Sequence, residues 1–329
     1  MDFTVVVLEG AYAASVAATV DILAAARAME RAAGVAVARV EVCAIDGGRG
    51  SGAGRSSRLS SGLSVGTSRL RVHAGNARSV WIVPGLGLET AAALDARLAQ
   101  PDAVRTAGAI ARHVARGGRV AAACSAVFLL ERAGVLAGRR ATTTWWLGRL
   151  LAERAAQCAV DTHAMVCADG PIVTAGAAFA QTDLMLHLLR ERCGTRLVDR
   201  LARMLLLDGR QAQARYVVPE LLANGDALIG QITARIEARL PEAPSVAELA
   251  ASFGMSERTL SRQVRRATGH STLALLHSIK ARRAQTLLRS SRMSVEDIAA
   301  HVGYQDASTL RRLLNKVGGG TPLAYRAAR

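Results

Sequence analysis

The sequence predicts two domains: an α/β domain with a mainly parallel sheet, followed by an all-α domain with two helix-turn-helix units. Three observations lead to this prediction. The chain has 329 residues, more than one hydrophobic core normally organises. Short apolar strands alternate with helical segments through its first part, as in a parallel sheet covered on both faces. The C-terminal part contains one residue pattern twice, which is typical of duplicated units.

The α/β domain is assigned to residues 1–193, a linker to 194–228 and the helical domain to 229–329. Valine-rich or alanine-rich apolar runs predict strands at 3–10, 39–46, 79–84 and 119–123. Helical periodicity follows the first strand as far as Arg27 and returns at 103–116, before a pair of glycines.

Charge is concentrated where the repeat lies. The chain carries a formal net charge of +16, and residues 226–329 hold 16 Lys and Arg against 8 Asp and Glu. Such a balance favours a polyanionic partner. With half of the residues hydrophobic, the composition excludes a disordered chain.

Cysteine usage indicates a reducing compartment. The five cysteines are odd in number and show no paired spacing, so no disulfide framework is expected. No secretory signal pattern opens the sequence and no apolar run reaches the length of a membrane span. We therefore expect a cytoplasmic protein with no membrane association.

The repeated pattern aligns residues 245–270 with 294–320. Each copy begins with an i, i+3, i+4, i+7 set of apolar residues, the spacing of one buried helical face. The two sets are Val246, Leu249, Ala250 and Phe253, then Val295, Ile298, Ala299 and Val302. Gly254 and Gly303 are predicted left-handed helix ends, and Ser256 and Asp306 are predicted N-caps. The pattern predicts helix-turn-helix units at 246–267 and 295–317.

The second helix of each unit is expected to bury Leu260 and Val264, or Leu310 and Leu314, and to project its opposite face towards DNA. Arginine can bind guanine through two hydrogen bonds, and hydroxyls can contact bases or phosphates. The predicted DNA-binding residues are Arg258, Thr259, Ser261, Arg262, Arg265, Ser308, Thr309, Arg311 and Arg312. A helical stretch over 272–289 would support both units for successive major grooves, about 34 Å apart.

This region resembles the AraC/XylS family, through ELAASFGMSERTLSR, DIAAHVGYQDASTLRR and the closing TPLAYR. The resemblance implies two recognition helices that read adjacent major-groove segments of double-stranded DNA. Leu310 and Leu314 stand where the family usually has Phe, which is expected to loosen the second unit.

Cys124 lies between a buried strand and a helix, at a strand-to-helix elbow. Such an elbow presents its side chain at the carboxyl edge of the sheet, where ligands of these folds bind. The following helix N-terminus is expected to lower the pKa of the thiol. The alternative is a small buried cysteine that packs between strand and helix.

Here the chain resembles the DJ-1/PfpI family, a flavodoxin-like, class I glutamine amidotransferase-like group. The matching stretches are VPGLG, AAACSAVFLLERAGVLAGRRATTTWW and IVTAGAAFAQTDLMLHLL. With the AraC-like region, the whole resembles the GlxA-type regulators. Thr144 occupies the position of the family's catalytic histidine and Ser15 that of its helix carboxylate. Neither side chain is a base near neutral pH, so no catalytic residue and no enzyme activity are expected.

A ligand pocket is expected instead, offering backbone donors, hydroxyls and an aromatic wall to a small polar metabolite. Its predicted lining is Ser15, Gly85, Leu86, Cys124, Ser125, Thr144 and Trp145. Trp145 and Trp146 could form part of a cage for a quaternary ammonium, or pack beneath the helix that they precede.

We interpret the sequence as a ligand-responsive transcription regulator, a homodimer whose partners are DNA, a small-molecule effector and RNA polymerase. No cofactor and no metal are expected. Three alternatives stay open: a redox sensor acting through Cys124, a cysteine amidase or hydrolase fused to a DNA-binding domain, and an architectural DNA binder.

Overall fold

The computed structural model describes residues 2–46, 55–71, 79–207, 213, 227–268, 271–315 and 321–327. The chain divides into two compact units, Met1–Gln213 and Ala214–Arg329. No helix within the described ranges is long and apolar enough to cross a membrane.

The first unit is built on a seven-stranded sheet, which confirms the predicted α/β class. Its strands are β1 Asp2–Val6, β2 Val40–Ala44, β3 Ser56–Arg58, β4 Ser64–Gly66, β5 Ser68–Arg69, β6 Ser79–Val83, β7 Arg119–Ala123, β8 Arg140–Ala141, β9 Ala159–Val160, β10 Val166–Asp169 and β11 Ile172–Ala175. The main sheet has the order β10-β11-β7-β6-β1-β2-β5, and β10 alone runs antiparallel to its neighbour. β3 pairs with β4, and β8 with β9, in two small sheets.

Helices cover both faces of this sheet. They are α1 Ala13–Ala32, α2 Ala91–Leu98, α3 Pro101–Ala115, α4 Val127–Arg132, α5 Gly148–Arg154, α6 Ala180–Cys193 and α7 Thr195–Met204. Alternate strand residues point to opposite faces, so Val5 packs with α1, α6 and α7 while Val6 packs with α2 to α5. The chain reverses its winding direction at β1, and the crevice at such a reversal is the usual ligand site of this architecture.

Helix α7 lies in the first unit, although residues 194–228 were expected to form a linker. Val198 and Leu201 on this helix are fully buried in the core beside α1 and α6. Gln213 also belongs to this unit and is 1% exposed. The apolar residues of α7 therefore belong to the α/β core. Of the expected linker, residues 208–212 and 214–226 lie outside the described residues.

The second unit is helical, as predicted. It contains α8 Ala227–Ala238, α9 Val246–Ser252, α10 Glu257–Thr268, α11 Thr272–Ser290, α12 Val295–His301, α13 Ala307–Leu313 and α14 Pro322–Ala327. α9 with α10, and α12 with α13, are the two helix-turn-helix units. α9 and α12 each begin with a reciprocal capping box, Ser245 with Glu248 and Ser294 with Asp297. Residues 316 and 317 of the predicted second unit lie outside the described residues.

Helix α11 belongs to both hydrophobic cores of this unit. Its first half contributes Leu275 and Ile279 to the core of the first helix-turn-helix, together with isoleucines of α8. Its second half contributes Ala281, Ala284 and Leu288 to the core of the second. Leu310 and Leu314 are fully buried in that second core.

The turn glycines provide a test of this packing. Gly254 and Gly303 both have positive φ, +63° and +76°, but a Cβ would meet nothing at Gly254 and would lie 2.0 Å from the Pro241 carbonyl oxygen at Gly303. Gly254→Ala should lower the free energy of unfolding by about 1–2 kcal/mol, the cost of a left-handed alanine. Gly303→Ala should cost more, because a backbone atom must move. Calorimetry of the full chain would measure both, and equal losses would contradict the structure.

Candidate functional site

The outer face of α10 is basic. Arg258, Arg262 and Arg265 are exposed, and Thr259 and Ser261 are half-buried beside them. Leu260 and Val264 are fully buried on the opposite face. Because residues three and four apart share a helical face, the predicted DNA-binding residues of the first helix-turn-helix form one continuous surface.

The corresponding surface of α13 is organised by Asp306. Its carboxylate accepts a hydrogen bond from the Thr309 amide at 2.8 Å and others from the hydroxyls of Ser308 and Thr309. The side-chain bond from Ser308, followed by those from Thr309, lowers the pKa of Asp306 to about 2. Arg312 in turn donates to the Thr309 hydroxyl at 3.2 Å. The structure confirms Asp306 as the predicted N-cap of α13. Ser308 and Thr309, predicted to contact DNA, also donate hydrogen bonds to this cap.

The arginines of α13 are exposed, but Arg311 has an acidic neighbour. Its guanidinium lies 3.3 Å from Glu296 of α12, and both side chains are largely solvated, so this pair contributes little to stability. Within the described residues, Arg258 and Arg262 of α10 have no carboxylate partner. The guanidinium charge of Arg311 in the second helix-turn-helix is therefore partly neutralised, in contrast to that of Arg258 and Arg262 in the first.

A cation supports the turn of each helix-turn-helix. The guanidinium of Arg235 in α8 lies over the ring of Phe253, 5.2 Å from its centroid. The ammonium of Lys280 in α11 lies 4.7 Å from the Tyr304 ring centroid and donates to the Gly303 carbonyl at 3.2 Å. Cations are favourable at helix C-termini and over aromatic faces. Sequence reasoning missed both contacts, because each joins residues far apart in the chain.

In the α/β unit, Cys124 occupies the predicted elbow between β7 and α4. It begins a 3-10 turn, Cys124–Ala126. Its φ is +57°, a left-handed conformation that is uncommon for a residue with a side chain. Two backbone contacts hold it: the Cys124 amide donates to Gly176 O at 2.7 Å, and the Thr143 hydroxyl donates to Cys124 O at 2.8 Å.

The seven predicted pocket residues are all buried. Gly85 lies between Ser15 and Cys124, since a Cβ on this glycine would be 3.3 Å from the Ser15 hydroxyl and 2.9 Å from the Cys124 Cβ. The Ser15 hydroxyl donates to Ala178 O at 3.0 Å, and the Ser125 hydroxyl accepts from the Leu88 amide at 3.1 Å. The structure thus brings the first turn of α1 and the segments that follow β6 and β7 together around the thiol.

Burial raises the pKa of the Cys124 thiol, so the expectation of a lowered pKa is wrong. Hydrogen bonds from Ser125 and the backbone of Gly87 favour the thiolate, and the charge of Glu89 opposes it. The side chain is 2% exposed, and this desolvation outweighs the donors at the start of the turn. Periodicity located the elbow, but the extent of its burial is a property of the folded unit.

No described histidine reaches the thiol. His113 bonds to Ser79 O and Arg119 O at the amino ends of β6 and β7, the opposite edge of the sheet. His187 faces Glu191 at 3.5 Å. Thr144, in the position of the family's histidine, is fully buried, and its hydroxyl has no hydrogen-bond partner among the described residues. Nor do those residues contain a cluster of three metal-ligating side chains.

The tryptophan pair is packed into the domain. The rings of Trp145 and Trp146 meet edge to face with centroids 5.0 Å apart. Trp145 is 6% exposed and Trp146 packs against the core on the α2 to α5 side. This arrangement corresponds to the packing alternative of the two that the sequence left open.

A sheet with a buried cysteine elbow, joined to a unit with two helix-turn-helix motifs on one shared helix, defines a helix-turn-helix regulator with an α/β domain. Comparison with known families agrees. The DJ-1/PfpI family matches residues 12–191, and the chain belongs to this family. A helix-turn-helix domain matches residues 249–328, which confirms the AraC-type resemblance.

Two relatives are named as HTH-type transcriptional regulators. The chain is 25% identical to the HTH-type transcriptional regulator GbdR of Pseudomonas aeruginosa. The matched region covers 69% of this chain and 66% of GbdR, so the chain spans about two thirds of that relative's length. It is 27% identical to the HTH-type transcriptional regulator GlxA of Rhizobium meliloti, over 81% and 80%. A crystal structure of a putative transcriptional regulator from Vibrio parahaemolyticus shares the fold, with a TM-score of 0.50, 17% identity, and coverage of 62% of this chain and 98% of that one.

The raised pKa of Cys124 predicts slow alkylation. Because burial disfavours the thiolate, the iodoacetamide reaction at pH 7 should be slower than that of a synthetic peptide of residues 121–128. The rate should still rise above pH 9.0, the ordinary pKa of this side chain. Peptide mapping by mass spectrometry would give the rate for each cysteine. An inflection near pH 6 would show that the thiolate is favoured after all.

Proposed function

We propose that the protein is a sequence-specific DNA-binding transcription regulator, controlled by a small metabolite that binds near Cys124 in a non-catalytic domain. The observation that carries the DNA-binding part is the shared helix α11. Its 19 residues span about 28 Å and enter both helix-turn-helix cores. A single helix that enters both cores would hold the two helix-turn-helix units together, as binding to successive major-groove segments about 34 Å apart requires.

The buried hydroxyl of Thr144 supports the effector part. A polar atom without a partner in a protein interior is costly, and a bound ligand is one way of satisfying it. Ser15, Cys124 and the backbone amide of Gly87 add further polar groups at this sheet edge. Their chemistry suits a small polar molecule that carries both donors and acceptors.

We propose binding rather than catalysis because no histidine among the described residues reaches the Cys124 thiol. Nucleophilic catalysis by cysteine requires a thiolate and a nearby base. Here burial raises the pKa of Cys124, and Ser15 and Thr144 replace the acid and the imidazole. The raised pKa of Cys124 also disfavours the redox alternative, because oxidation by peroxide proceeds through the thiolate.

DNA recognition would place the protein in the cytoplasm, with RNA polymerase as a further candidate partner. We also propose a homodimer, in which two copies bind paired half-sites. Effector binding would shift the equilibrium between arrangements of the paired DNA-binding units, by as much as the effector's affinities for those arrangements differ.

Selection of genomic DNA by the full-length protein would test the regulator. At about 0.15 M salt, which suppresses sequence-independent phosphate binding, wild type should recover a shared site. The double variant Arg262→Ala, Arg312→Ala should lose about 1–3 kcal/mol of DNA-binding free energy for each base contact removed. Arg31→Ala removes an equally exposed arginine from the first unit and should bind as wild type does. Failure of wild type to enrich any shared site would refute the proposal.

The Thr144 hydroxyl separates ligand binding from structure. Thr144→Val keeps the shape and removes an unpaired buried hydroxyl, so the unfolding free energy should stay the same or rise by up to about 1–3 kcal/mol. Thr143→Val, the matched control, removes the bond to Cys124 O and should destabilise the domain. A thermal-shift screen with a metabolite library should find compounds that stabilise wild type and not Thr144→Val. Marked destabilisation by Thr144→Val would indicate a structural hydroxyl instead.

A further inference from the structure

Gln213 is buried, 1% exposed, with its carboxamide surrounded by polar backbone. Its Oε1 accepts a hydrogen bond from the Ala177 amide at 3.2 Å, and its own amide donates to His163 O at 2.8 Å. Four acceptors surround Nε2: Thr143 O and Ala164 O, both at 3.0 Å, the Thr142 hydroxyl at 3.2 Å and Thr162 O at 3.4 Å. Two hydrogens on Nε2 can satisfy two of these at a time, and the site requires a donor there.

The space for this carboxamide exists because residue 176 is glycine. A Cβ on Gly176 would lie 2.2 Å from both Cδ and Oε1 of Gln213. The φ of Gly176 is outside the left-handed region, so its backbone conformation does not itself require glycine. The absence of a side chain is what admits Gln213, and together these groups form a binding site for a primary carboxamide.

The segments that hold Gln213 also hold Cys124. The Thr143 carbonyl faces Gln213 while the Thr143 hydroxyl donates to Cys124 O. The Gly176 carbonyl accepts a hydrogen bond from the Cys124 amide, and the amide of the next residue, Ala177, donates to Gln213 Oε1. Hydrogen bonds therefore join Gln213 to the cysteine elbow through Thr143 on one side and through the consecutive residues Gly176 and Ala177 on the other.

Gln213 is also the last residue of the first unit, and residues 214–226 separate it from α8. We propose that Gln213 is a latch, a side chain that fastens the end of the first unit to the α/β core and is loosened or tightened when an effector binds near Cys124. The effector-dependent part rests on the function proposed above. Hydrogen bonds weaken steeply with distance and angle, so a small movement of the 142–144 segment or of the elbow changes the seating of the carboxamide. Binding of an effector near Cys124 would thereby change the hydrogen bonds that hold Gln213, the residue after which the chain continues to the DNA-binding unit.

Limited proteolysis of the full-length protein tests the latch without an effector or DNA. Trypsin sites at Arg210 and Arg215 flank Gln213. Gln213→Glu keeps the size but replaces the donor with a carboxylate among carbonyl oxygens, and should speed cleavage at these sites about tenfold, as loss of hydrogen bonds of ordinary strength would. Gln157→Glu makes the same change on the exposed surface and should be cut as wild type is. Equal cleavage of Gln213→Glu and wild type would overturn the latch.

A double-mutant cycle separates release of the latch from general damage. Gly176→Ala should displace the Gln213 side chain and accelerate the same two cleavages, although residue 213 is unchanged. Gln213→Ala should do so as well. In the double variant the new methyl group occupies space that Gln213 has vacated, so the effects should be clearly less than additive. Additive effects would mean that the two residues act independently, which the proposal forbids.

Alkylation of Cys124 tests the link to the pocket. If the latch supports the elbow through Thr143 and Gly176, Gln213→Glu should raise the rate of Cys124 alkylation by iodoacetamide, again about tenfold, with the Cys43 rate as internal reference. Faster proteolysis with an unchanged Cys124 rate would show a fastening that is not coupled to the pocket, and the proposal would fail. Because neither readout involves DNA, these failures are distinct from a failure of the regulator itself.

Discussion

The left-handed backbone of Cys124 constrains every other feature of the α/β site. A residue with a side chain holds a φ of +57° only where its surroundings over-determine it. Gly176 and Thr143 supply that support through the two backbone groups of Cys124, and Gly85 must lack a Cβ because one would lie 2.9 Å from the cysteine's own Cβ. The turn at Cys124 thus accounts for the hydroxyl of Thr143 and the glycine at position 85, whereas Gly176 contributes only its backbone carbonyl.

In the second unit the equivalent constraint is the division of α11 between two cores. Ile279 packs in the first core and Ala281 in the second, two residues further along the helix. A bend within α11 would have to disturb one core or the other, and close-packed interiors resist such shifts. The two basic faces are consequently held by burial on their inner sides, and the side chains of Arg258 and Arg262 are exposed on the outer side of α10.

Local periodicity was sufficient to predict most of the fold, because each buried face repeats within a few residues along the chain. It located Leu260 and Val264 in the interior, the glycine turns, and the elbow at Cys124. The pKa of Cys124 could not be predicted in this way, since its burial results from packing by distant segments. Gln213 gave no signal at all: a glutamine in a polar stretch resembles any solvated residue, and its partners lie 36 to 71 positions away.

The chemistry of the pocket also bears on why such a fold would serve regulation. A catalytic site stabilises a transition state through groups that accept or release protons, whereas Ser15, Ser125 and Thr144 offer only fixed dipoles. Fixed dipoles bind a ground-state ligand, and the resulting free energy is available to favour one arrangement of the protein over another. For that free energy to matter beyond the pocket it must alter contacts made by the chain leaving the domain. Among the described residues, the hydrogen bonds of Gln213 place such contacts within one residue of the groups that support Cys124.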